Sequence, residues 1–238
     1  MKTIHLGRSV LAAGFGLFLL AGTAVRADTL TNSISTGWMA LSPFSPNPIS
    51  LQLDQFDSSL GDLQSVKILL DAAERATVAF ENGSPNPANA ANMSLTGVVR
   101  ATAPGSVNVL TAPSIAGDDV ELAANGQESG LPTYNETGAD YHSYGLLTGS
   151  DQNSALLTTG LAPYIGVGTF QTDVYGQGGW SFTGTSDANM QIAGFQGVGT
   201  VRVVYDYVAV PEPGTIALAG IGILGFYCRR RFRTKASR

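Results

Sequence analysis

Residues able to do chemistry are few in this chain, and they are scattered along it. There are two histidines, His5 and His142, and one cysteine, Cys228. His142 lies in Asp140-Tyr141-His142-Ser143-Tyr144, with a serine and a carboxylate close by. A Ser-His-Asp triad needs an imidazole that takes the serine proton and a carboxylate that holds its tautomer. No G-x-S-x-G elbow frames a serine as an exposed nucleophile. The plainer reading is a strand or surface histidine. A secreted hydrolase is expected only if His142 sits in a cleft beside a serine and a carboxylate. Zinc needs three or four nitrogen, sulfur or carboxylate ligands, and one histidine in the middle of the chain does not supply them.

Oxygen ligands for Ca²⁺ are more plausible. Asp118 and Asp119 with Glu121 form one carboxylate group, and Asp54 with Asp57 another. Asp151-Gln152-Asn153 resembles the first ligand positions of a calcium loop, without its glycine and closing glutamate. Calcium is therefore the one candidate cofactor, at Asp118, Asp119, Glu121, Asp151 and Asn153. The alternative is solvated turn carboxylates. Tyr134, Tyr141, Tyr144, Tyr164, Tyr175 and Trp180 could form a sugar-stacking platform or pack within strands.

The elements that must position these residues are strands. Of 238 residues, 44% are apolar and 13% charged, with 29 glycines. That suits short strands joined by many turns. Val201, Val203, Tyr205 and Tyr207 alternate with polar Arg202 and Asp206, the pattern of a half-buried strand. Val66, Ile68 and Leu70 alternate likewise, as do Ala76, Val78 and Phe80. Further strands are expected over residues 94–102, 106–110, 165–175, 179–185 and 190–195. Turns are expected at Asn82-Gly83, Gly117-Asp118, Asn125-Gly126 and the Gly176-Gln177-Gly178-Gly179 run. Loops are expected at 42–48, 83–92 and 126–139. Together these predict an all-β body over residues 28–209, a single antiparallel sandwich of jelly-roll or immunoglobulin-like type.

The two ends differ from the body. Residues 1–27 carry Lys2 and Arg8, an apolar run from Val10 to Ala21, then Val25-Arg26-Ala27. This is a secretory signal peptide pattern, with signal peptidase expected to cut between Ala27 and Asp28. Residues 210–238 carry Pro211-Glu212-Pro213, an apolar run from Ile216 to Cys228, and the cluster Arg229, Arg230, Arg231 and Arg233. The run is short for a membrane span, which needs about 20 residues. Arginines just past it stay cytoplasmic, leaving the body outside. Cys228 serves as apolar filler at the end of this span or as a lipidation or redox site. Between Asp28 and Ala209 four bases face seventeen acids, an excess of thirteen negative charges. Such a body repels phosphate backbones, so no nucleic-acid partner is expected.

Read as a unit, the tail resembles the PEP-CTERM sorting signal of exopolysaccharide-producing Gram-negative and related bacteria. The resemblance implies recognition by an exosortase, a membrane transpeptidase that cuts near the motif. Within the body, Phe56-Asp57, then Ser59-Leu60-Gly61, then Leu63 and Val66 resemble the opening of a choice-of-anchor E domain. The run from Gly197 to Tyr207 is similar to its last strand. Serine stands at Ser58 where that family commonly has proline. Phe56 and Leu60 are expected to tuck this loop onto the first long strand. The resemblance implies a surface sandwich without catalysis. The expected protein is an exported, non-enzymatic envelope or biofilm component, passing through a membrane-tethered stage and meeting extracellular polysaccharide. The alternatives are a carbohydrate- or Ca²⁺-binding module and a hydrolase.

Overall fold

A computed structural model describes residues 27–41, 48–125, 136–210, 220–222 and 226. The segment Arg26–Val210 is one compact unit. All but Ala27 of the leader expected over 1–27, the sorting residues 211–213, Cys228 and the arginine cluster lie outside the described residues. So do 42–47 and 126–135, which hold most of two expected loops. Residues 220–222 and 226 are helical. No helix among the described residues is long and apolar enough to cross a membrane.

The described residues of the body contain eleven strands: β1 (Ala27–Ser35), β2 (Met39–Ala40), β3 (Ile49–Asp54), β4 (Gly61–Asn82), β5 (Ala88–Ala103), β6 (Val107–Thr111), β7 (Ser114–Ala116), β8 (Val120–Leu122), β9 (Tyr141–Leu157), β10 (Thr169–Thr183) and β11 (Ala188–Ala209). They form two sheets packed as a sandwich. The first runs β1-β11-β4-β9, with β2 also on β11. The second runs β3-β10-β5-β6, with β7 and β8 also on β5. All named strand pairs are antiparallel.

Long strands replace several expected short ones. The two alternating runs at 66–70 and 76–80 belong to one 22-residue strand, β4. Residues 165–175 and 179–185 contribute to one strand, β10. The Gly176–Gly179 run is thus strand rather than turn. Its glycines have a packing cause: side chains at Gly176 and Gly178 would strike Leu41, Met39 and Phe195. The loop expected over 83–92 ends early, because β5 starts at Ala88. Strands β1, β3 and β9 were not expected.

The interior divides into two clusters. One gathers Phe56, Val66, Ile68, Leu70, Val203 and Tyr205 with their neighbours. The other gathers Ala76, Val78, Phe80, Met93, Leu95 and Ile115. The turn before β4 seals the first cluster. Phe56 is fully buried, with its ring 5.8 Å from that of Tyr205 and 5.0 Å from that of Tyr207. Asp57 Oδ1 accepts from the Ser59 amide at 2.8 Å, closing an Asx turn. These Ser59 hydrogen bonds hold the Asp57 carboxyl below its usual pKa. Gly61 has φ 157°, and a Cβ there would collide with the Val208 carbonyl oxygen, so only glycine fits. Leu60 differs from expectation: it is exposed rather than tucked in.

Candidate functional site

The structure separates most of the expected site residues. His142 lies on β9, half-buried, with its ring 4.6 Å from that of Tyr144 in an edge-on contact. Among the described residues, no serine or carboxylate hydrogen-bonds its imidazole. Asp118, Asp119 and Glu121 lie exposed around β7 and β8. Asp119 Oδ1 accepts from Asn92 Nδ2 at 2.9 Å, and the Asp118 carbonyl accepts from the Tyr144 hydroxyl at 3.1 Å. Burial pushes the Tyr144 hydroxyl pKa up, and the carboxylates of Asp119 and Asp118 add to it.

Asp151 and Asn153 are not in a loop. They sit on β9, in register with Ala72 and Leu70, and point from this edge strand toward the second sheet. Asp151 Oδ2 accepts from the Ala112 amide at 2.8 Å, and Asn153 Nδ2 donates to the Leu110 carbonyl at 2.8 Å. Their side chains therefore staple one sheet edge to the other. These residues are therefore on a strand and not in the loop that the calcium reading expected, with Asp151 Oδ2 committed to a backbone amide. Among the described residues, no three His, Cys, Asp or Glu side chains converge on a metal position. The Asp54 carbonyl accepts from the Tyr205 hydroxyl at 2.6 Å, so that residue also serves the core.

The aromatic residues form no single platform. Tyr164 is fully buried, its hydroxyl donating to the Pro104 carbonyl at 2.7 Å. Burial pushes its pKa up to about 12. Tyr175 lies under Arg100 on the outer face of the second sheet, 4.6 Å from guanidinium carbon to ring centroid. Tyr141 and Tyr144 are on β9, and Trp180 is exposed on β10. Tyr134 is outside the described residues.

A concave feature lies elsewhere, on the outer face of the first sheet. Register aligns three rows across β11, β4 and β9: Thr200-Asp71-Gln152, Val198-Ala73-Ser150 and Gln196-Arg75-Thr148. The middle row is short at Ala73 and Ser150, while the flanking rows carry long side chains. The result is a trough of about 590 Å³ over Ala73. Beyond one end, Arg202 Nη2 lies 3.0 Å from Asp71 Oδ2. Beyond the other, the Arg75 guanidinium stacks 4.1 Å from the Trp38 ring centroid. The same guanidinium donates to Gln196 Oε1 from Nε at 3.1 Å and Nη2 at 2.8 Å. Trp38 remains 42% exposed, so part of its ring is open to a ligand. Planar guanidinium, amide and indole groups beside hydroxyls and short apolar side chains suit the mixed polar and apolar faces of a sugar ring. The sequence does not reveal this group, because it depends on the register of three distant strands.

Comparison with known proteins identifies the tail. Residues 209–231 match the PEP-CTERM protein-sorting motif. No curated protein sequence matches the chain. Among solved structures, the chain is similar to one titled as infectious bursal disease virus Gt strain, at 10% identity and TM-score 0.11, covering 86% of this chain and 50% of that one. It is also similar to the VP2 subviral particle of infectious bursal disease virus, at 12% identity and TM-score 0.12, covering 86% and 49%. The chain spans about half the length of these solved chains. The matched motif implies an exported protein, sorted to the cell surface and processed by an exosortase.

Proposed function

We propose that this chain is a non-enzymatic bacterial surface protein, displayed or released into extracellular polysaccharide as a structural or adhesive part of envelope or biofilm. The observation that carries the reading is the motif match at residues 209–231, with Pro211-Glu212-Pro213, the apolar run and Arg229 to Arg231 inside it. The fold is consistent with cleavage at that place. The last strand, β11, is internal to its sheet, between β1 and β4, and ends at Ala209 where the match begins. A cut beyond Val210 would leave both core clusters whole. We read the strand order as a jelly roll, and the body as a choice-of-anchor E domain. The test is replacement of Pro211, Glu212 and Pro213 by alanine, followed by fractionation of the producing cells. Retention of the altered chain in the membrane, with the parent chain at the surface or in the matrix, is the expected result. Identical distribution of the two would overturn the reading.

The trough supports a second reading, a carbohydrate-binding module in the same setting. Its charge is nearly balanced by the Asp71–Arg202 pair, within a strongly acidic body, so a neutral glycan chain suits it better than an acidic one. Trp38→Ala is expected to weaken retention on matrix polysaccharide at least tenfold with the fold unchanged. Equal retention would dismiss the trough as the site.

A further inference from the structure

Glu74 lies at the middle of β4, where the two core clusters meet, and it points inward. It is fully buried, and neither carboxyl oxygen has a hydrogen-bond partner. Buried unpartnered carboxyls are rare because the charged form loses its hydration without compensation. The Gly97 amide lies across the sandwich within electrostatic reach of the carboxyl, but that N–H is given to the Pro113 carbonyl at 3.0 Å. Space for the carboxyl exists only because glycine stands opposite: a Cβ at Gly97 would overlap Glu74 Oε2. Glycines also flank it within its own sheet, with Gly197 in register on β11 and Gly149 on β9.

We propose that Glu74 is a protonation switch at the waist of the sandwich: as the neutral acid it lets the sheets close over it, and as the carboxylate it loosens them there. No cation faces it. The inward face of β11 offers Gly197 and Gly199, β5 offers Leu95, Gly97 and Val99, and β10 offers Gly176 and Gly178. Leu41 and Ile115 fill the remaining space around these glycines. Among the described residues, the titratable groups on these inward surfaces are Asp151 and Tyr144 on β9 and Tyr205 further along β11; Asp151 Oδ2 is held by the Ala112 amide, and burial pushes both tyrosine hydroxyls up, so they stay neutral. Burial pushes the Glu74 pKa up to about 7, against a smaller downward pull from the Gly97 amide.

The sign follows from linkage. An acid whose pKa is raised on folding binds its proton more tightly in the closed state. Its stabilisation is complete below the open-state value of 4.5 and is lost as pH rises through about 7. An exported body meets the external pH directly, so closure at the waist would report acidity outside the cell.

The experiment is hydrogen exchange by mass spectrometry on the whole chain in mild detergent, read over residues 61–82 and corrected for the intrinsic pH dependence of exchange. Between pH 5 and pH 8.5, protection beside Glu74 is expected to fall roughly a hundredfold in the parent chain. It is expected to stay level in Glu74→Gln, with Glu74→Leu serving if the glutamine variant does not accumulate. Level protection in the parent chain, or the same fall in either variant, would overturn the proposal.

Discussion

The two halves of the sandwich are closed by different means. Around Phe56 and Tyr205 each sheet is four strands wide, because β1 pairs β11 only over residues 200–208 and β3 pairs β10 only over 169–174. Large aromatic side chains fill the space between, and the hydroxyls of Tyr164 and Tyr205 each end on a backbone carbonyl. Around Phe80 those covering strands are missing. Trp180 lies where β10 has no β3 beside it and is 54% exposed, although it is on the inward side of β10 with Phe182. This half relies on a buried amide instead. Asn82 Nδ2 donates to the carbonyls of Asn86 and Ala123, at 2.9 and 2.7 Å, and its Oδ1 accepts from the Ser84 amide and the Thr185 hydroxyl. The difference teaches that apolar area closes a sandwich where both sheets are wide. Where they narrow, a satisfied polar network holds the loops to the end of the core.

The largest effect that would test this contrast is expected at Phe56. Phe56→Ala should cost about 4 kcal/mol of body stability in urea unfolding, and more than Phe80→Ala, whose cavity opens toward a looser end. Equal costs would erase the contrast. Next comes Asn82→Ala, which orphans two carbonyls and an amide at once and should cost about 3 kcal/mol. Its effect should concentrate in exchange of β5 and β11 near the loop, leaving the Phe56 half protected. A uniform loss of protection would show that the halves open together. The smallest is Tyr205→Phe, which keeps the ring and loses one hydrogen bond, at about 1 kcal/mol by the same unfolding assay. A cost near that of Phe56→Ala would mean that polar closure matters in both halves.

Much of this was legible where a strand has one face on the apolar core. The alternation at 201–207 and 66–80 marked β11 and β4 for that reason. β9 escaped notice because its inward positions include Gly145, Gly149, Asp151 and Asn153, which face a sheet edge and backbone rather than a packed interior. Asp151 and Asn153 read as a loop in the sequence for the same reason: two polar residues on one side of an edge strand look like a turn until the neighbouring edge appears. Gly176 and Gly178 looked like a turn because composition records flexibility but not the Leu41 and Phe195 side chains above them. Glu74 was hidden by the alternation itself, since a lone carboxyl in an inward position breaks the pattern by one residue. The tail was legible because a sorting signal is read as linear sequence.

Display of this body depends on that tail, and the intact mass of the protein from cells with and without the exosortase tests it most directly. The account predicts loss of the mass beyond the Pro211-Glu212-Pro213 region only when the enzyme is present. A full-length tail in both strains would contradict it and make the body a permanently tethered one.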